Sequence, residues 1–204
     1  MIYGRLRRLG FSSLNRDDFE SFTRFREERE SADTELLAIL AEIEKQIGEA
    51  PQFPPQGEVS AETHALGSAT DIIDLKRVAA HLESGAPPDG PRTVSDPSAD
   101  PVLAPYLLRN TQAQKFPHLL EHAESSGYFV PLPFTRPFWL AETSRSVGSA
   151  VGLIAELEEI RAQLSGSADF PRELAVLEKL LPLCEQAFAL SLTVELLPES
   201  ELKD

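Results

Sequence analysis

The stretch Val147-Gly148-Ser149-Ala150-Val151-Gly152-Leu153-Ile154-Ala155-Glu156-Leu157-Glu158-Glu159-Ile160-Arg161-Ala162-Gln163-Leu164 decides how the fold is read. Leu153, Leu157, Ile160 and Leu164 recur at helical intervals, so the spacing predicts one helix over 147–164. Downstream, Asp169 with Pro171 begins another, whose apolar set is Leu174, Leu177, Leu180 and Leu181; Pro182 is expected to kink or divide it. Ser191 to Leu196 alternates as a terminal strand would. Upstream, Tyr128 to Leu140 holds three prolines and five aromatics and reads as extended, with a short strand near 128–134. Short helices are expected at 101–109 and at 117–126, the latter opened by Pro117.

The first half follows the same helical reading. Residues 16–48 read as two helices or one broken at Ser31 to Thr34: Phe19, Phe22 and Phe25 recur in the charged first part, and Leu36, Leu40, Ile43 and Ile47 form an apolar stripe in the second, stopped by Gly48 and Pro51. Residues 51–62 read as loop, and Ser68 to Glu83 as a helix closed by Gly85. The expected fold class is mainly α, a compact multi-helix globule with a minor β component. Its parts are an N-terminal helical part (1–85), a Pro/Gly/Asp-rich loop or linker (86–100) and a C-terminal mainly helical part (101–204), which can form one domain together. Gly67-Ser68-Ala69 and Gly148-Ser149-Ala150 echo each other, which reads as shared helix-start chemistry.

Charge narrows function. The formal net charge is −14, a field that argues against nucleic-acid or anionic-membrane binding and either steers a basic partner or serves solubility alone. The single cysteine, Cys184, excludes an intrachain disulfide and reads as a small buried hydrophobe. No secretory h-region or run of roughly 20 apolar residues is present, so the expected compartment is cytoplasmic.

His118-Leu119-Leu120-Glu121-His122 is the one pattern in the chain that names a chemistry, although the five residues read first as architecture. On a helix these residues place His118 and His122 as zinc ligands on one face, with Glu121 as general base for a metal-bound water. The pattern resembles that of the inverted zincins, whose third ligand is a later glutamate; Glu195, Glu199 and Glu201 stand downstream. The alternative is a short helix whose Leu119 and Leu120 face the core between half-exposed histidines. Gly148 to Gly152 is not a nucleophile elbow, because the serine directly follows the glycine. Asp96, Ser98 and Asp100 lack the glycine and closing glutamate of a calcium loop.

Residues 116–164, through His118–His122, Gly127–Pro131, Val147–Ala150 and Leu153–Leu157, resemble a group of uncharacterised bacterial proteins, some suspected to be toxin-immunity proteins. The resemblance implies a small intracellular bacterial protein with no established activity. The reading that results is a non-catalytic protein that binds another protein, such as a basic toxin, with no cofactor; Phe134, Phe138 and Trp139 are its candidate anchors, the alternative being that these aromatics fill the core. The alternative is a zinc-dependent hydrolase using His118, Glu121 and His122. A homodimer through the Leu36–Ile47 stripe is a third arrangement.

Overall fold

The computed structural model describes residues 1–7, 34, 36–49, 51, 63–86, 97–141, 143–167 and 169–202. Six strands cross them: β1 (Ile2–Arg7), β2 (Thr63–Gly67), β3 (Gly127–Val130), β4 (Phe138–Leu140), β5 (Arg145–Ser149) and β6 (Thr193–Pro198). They form one sheet in the order β2-β1-β6-β3-β5-β4, antiparallel throughout except for β3 beside β5. The expected mainly α class is therefore wrong; the fold is mixed α/β. The strands expected near 128–134 and 191–196 are present as β3 and β6, and the other four went unread.

Each missed strand has a physical reason. β1 alternates Ile2, Gly4 and Leu6 against Tyr3, Arg5 and Arg7, the period of two that a strand requires, but its polar face is arginine. β5 lies buried with only one large apolar residue, Val147, because serines and glycine allow neighbouring side chains to approach. β4 has three residues and β2 buries only Leu66.

The helices are α1 (36–47), α2 (Ala69–Ser84), α3 (Ala104–Leu107), α4 (Pro117–Leu120), α5 (Ala150–Leu164) and α6 (Pro171–Leu190). At the start of α2, Ser68 Oγ accepts from Asp71 N at 3.1 Å and Asp71 Oδ2 accepts from Ser68 N at 2.7 Å, a reciprocal cap. Gly85, at φ +72°, ends the helix. The helix expected from Val147 begins instead at Ala150, because β5 runs into it and Ser149 caps it by accepting from Gly152 N at 3.0 Å. The echoed Gly-Ser-Ala thus marks two strand-to-helix junctions. Pro182 does not divide α6, which runs unbroken through it with the proline exposed. The helices expected at 101–109 and 117–126 shrink to four residues each.

The two faces of the sheet are covered differently. On one, α2, α5 and α6 bury Leu75, Val78, Leu153, Leu157, Leu177 and Leu181 against Leu6, Leu66, Phe129 and Val194. On the other, Ile39 and Ile43 of α1 meet Tyr128, Val130, Phe134, Phe138, Leu140 and Val147. Ile39 takes the place expected for Ile47, which is exposed. The helix expected over 16–30 with Phe19, Phe22 and Phe25, and nearly all of the 51–62 and 86–96 loops, lie outside the described residues. Leu153→Ala should cost about 2–5 kcal/mol in urea unfolding because the side chain is fully enclosed, whereas Leu37→Ala, 66% exposed, should change stability by less than about 0.5 kcal/mol.

Candidate functional site

The His118–His122 segment is a junction between helix and sheet. Phe116 gives α4 no side-chain cap. Glu156 of α5 supplies one, its two oxygens accepting from His118 N and Leu119 N, both at 2.8 Å. His118 Nδ1 accepts from Ser149 N at 3.1 Å, so Nε2 carries the proton and donates to the Phe134 carbonyl at 3.0 Å. His122 lies between the Ala123 and Tyr128 carbonyls at 2.9 and 3.1 Å, and its neutral ring donates to one of them. That ring also stacks on Phe129 with centroids 4.0 Å apart.

Room for both rings comes from missing side chains. A Cβ on Gly152 would overlap the His118 ring, and one on Gly127, at φ +139°, would lie 2.9 Å from His122 Cε1. Beneath the turn, buried Lys76 donates to the His122 carbonyl at 2.5 Å and to Glu124 Oε1 at 2.7 Å. Burial pushes both imidazoles down to about 4, the ammonium of Lys76 adding to the effect at His122. Burial pushes the Glu156 carboxyl up to about 8 against the pull of its two amides.

Glu121 faces a different set of groups. Its Oε1 accepts from Ala113 N at 2.8 Å and pairs with Arg136 Nη1 at 2.6 Å. Among the described residues, no three His, Cys, Asp or Glu side chains come together as metal ligands. Glu199 and Glu201 sit in a short 3-10 turn near the N-terminus and Arg145. Cys184 is buried, and its thiol is pushed far up by that burial.

Glu195, only 1% exposed, is the centre of a second polar cluster that sequence reasoning missed. Its Oε2 lies 2.7 Å from both Arg5 Nε and Arg5 Nη2, and its Oε1 lies 3.0 Å from Arg7 Nη1 and 2.8 Å from Arg145 Nη1. The Tyr128 hydroxyl accepts from Arg7 and Arg145. Burial alone would raise the Glu195 carboxyl, but the arginines hold it below its ordinary range. The alternation of Arg5 and Arg7 with Leu6 was the available signal.

The outer surface has the opposite character. Glu158 and Glu159 on α5, and Glu178 and Glu185 on α6, are exposed on two helices that pack side by side. Among the described residues Glu44, Glu49, Glu159, Asp169, Glu178 and Glu185 have no cation within salt-bridge distance; Glu158 has only exposed Arg161 at 3.9 Å. Of the aromatic residues expected to bind a partner, Phe134 and Phe138 are 7% and 8% exposed and fill the second core. Trp139 is 39% exposed. No described helix is long and apolar enough to cross a membrane.

Two measurements check the junction. Gly152→Ala should displace His118 from Ser149 and Phe134 and cost about 2–3 kcal/mol in urea unfolding. Between pH 4.5 and 6.5 the unfolded chain binds two protons, on His118 and His122, that the fold refuses, while the fold holds one at Glu156. Together these three groups should make stability rise by about 1.4 kcal/mol per pH unit across that window; above it Glu156 lowers stability toward pH 8, while the Lys76 ammonium, which burial holds below its ordinary range, acts in the opposite direction. Carboxylates held below their usual range, such as Glu195, act below this window. Unfolding at stepped pH reads the profile, and a flat one would contradict this junction.

Residues 9–191 match the model of the family described as "Putative DNA-mimic protein". No curated protein and no solved structure matches the chain.

Proposed function

The chain belongs to this DNA-mimic family, and on that premise we propose that it occupies the DNA-contacting face of a DNA-binding protein with carboxylates in place of phosphates. The observation that carries this reading is a set of outward carboxylates that lack an ion-pair partner, on helices that also expose Arg161, Arg172 and Lys179. Arg5, Arg7, Arg136, Arg145 and Lys76 are engaged by the chain's own carboxylates, while Glu159, Glu178 and Glu185 face outward without a cation among the described residues. A carboxylate carries the single charge of a phosphodiester and accepts the same forked hydrogen bonds from arginine.

The helical spacing suits such a partner. Glu178 and Glu185 are seven residues apart, two helical turns and a rise of about 10.5 Å, so both stand on one exposed face of α6. Glu158 and Glu159 on α5 add a neighbouring row. The chain's own charge of −14 speeds the approach of a basic partner and repels nucleic acid. A toxin that acts on DNA has a basic face of this kind, so an immunity role is one form of the same function.

The test is capture and displacement. The immobilised full chain is exposed to the heparin-retained protein fraction of the source cell, and bound proteins are challenged with duplex DNA. DNA-binding proteins should be captured and released by the duplex. The variant E158Q/E159Q/E178Q/E185Q should keep its circular dichroism and bind at least tenfold more weakly. Capture that duplex DNA does not reverse, or undiminished binding by the variant, would contradict the reading.

A further inference from the structure

Trp139 is placed unlike its neighbours. Phe138 and Leu140 point into the second core, so alternation along β4 turns Trp139 to the opposite sheet face, where it remains exposed. β4 ends the sheet, and among the described residues no strand pairs along its outer side. The Arg109 guanidinium lies over the indole, 4.1 Å from the ring centroid. Leu108, next in the chain, is 61% exposed.

Two features of Arg109 call for an explanation. Its backbone sits at φ +56°, just beyond the C-cap of α3, where Arg109 N donates to the Tyr106 carbonyl and Asn110 N to the Pro105 carbonyl at 2.8 Å. Glycine takes this left-handed position without strain and arginine does not, so local backbone preference does not account for the residue. Its guanidinium is also unanswered. Among the described residues no protein oxygen serves Arg109 as acceptor or ion-pair partner, in a chain with 33 acidic residues. The stacking leaves the forked donors of Arg109 available, in a fixed orientation, beside apolar surface.

We propose that this corner of the sheet docks an extended peptide segment of another protein, one that carries a carboxylate among apolar or β-branched residues. The carboxylate takes the Arg109 fork, Trp139 and Leu108 cover the flanking apolar side chains, and the peptide backbone lies along the open β4 edge. Charge complementarity selects the occupant. A lone guanidinium suits one carboxylate, whereas a polyanion such as nucleic acid meets the repulsion of a chain at −14. This surface is separate from the outward carboxylates of α5 and α6, and its test stands apart from theirs.

Trp139 is the chain's single tryptophan, so its fluorescence reports this corner alone. The full chain is titrated with capped nine-residue peptides carrying one central glutamate flanked by valine, isoleucine and threonine. Matching glutamine peptides and a nine-nucleotide oligothymidylate serve as controls. The glutamate peptides should shift and saturate the emission, with binding at least tenfold weaker for the glutamine series. Arg109→Gly, whose backbone suits the position, should retain the fold and lose at least tenfold in affinity. No response to the glutamate peptides, an equal response to the glutamine peptides or in Arg109→Gly, or saturation by the oligonucleotide would each overturn the proposal.

Discussion

The structure depends on one buried carboxylate. Glu195 stands in the middle of the sheet, on the strand that has β1 on one side and β3 on the other, and takes in Arg5, Arg7 and Arg145 together. A lone ion there would carry a large desolvation penalty; three guanidiniums satisfy the group instead, two of which also donate to the Tyr128 hydroxyl. The cluster binds the first strand of the chain to the last and fixes the register in which Ile2 and Leu6 reach the main core. It also draws cationic side chains toward the sheet, and the surface field is more negative as a result.

Acidic side chains thus divide into two sets with different physics. One set works inside, where backbone amides lack partners. Glu83 accepts from the amides of Gln114, Lys115 and Phe116, Asp100 from Val102 and Leu103, Glu121 from Ala113, and Glu156 from the first turn of α4. These bonds hold a region that has only two four-residue helices, and Glu156 and Glu121 connect it to α5 and to Arg136. The other set lies outside, Glu159, Glu178 and Glu185 among them without an ion-pair partner, and is the set assigned by the proposed reading to contact a partner.

Helical elements were legible where a cap and a stripe coincide. Ser68, Asp71 and Gly85 delimit α2 almost to the residue, and the leucines of α5 and α6 face the core as their spacing requires. The sheet was not legible, for reasons particular to its strands. β1 hides its period behind arginines whose counter-ion lies some 190 residues away, and β5 is built from small residues that local propensity does not favour in strands. The His118–His122 pattern was visible as a pattern. Its ring nitrogens, however, answer to Ser149 and to the carbonyls of Phe134, Ala123 and Tyr128, which no spacing within five residues encodes. Exposure separated Trp139 from Phe134 and Phe138, a distinction that only the strand direction makes.

The central claim is that this chain covers the surface with which another protein holds DNA. Hydrogen exchange on a captured DNA-binding partner tests it most directly, with the partner measured alone, with duplex DNA and with this chain. The account predicts that the amides slowed by the duplex are the ones slowed by the chain. Protection confined to peptides that the duplex leaves unchanged would contradict it.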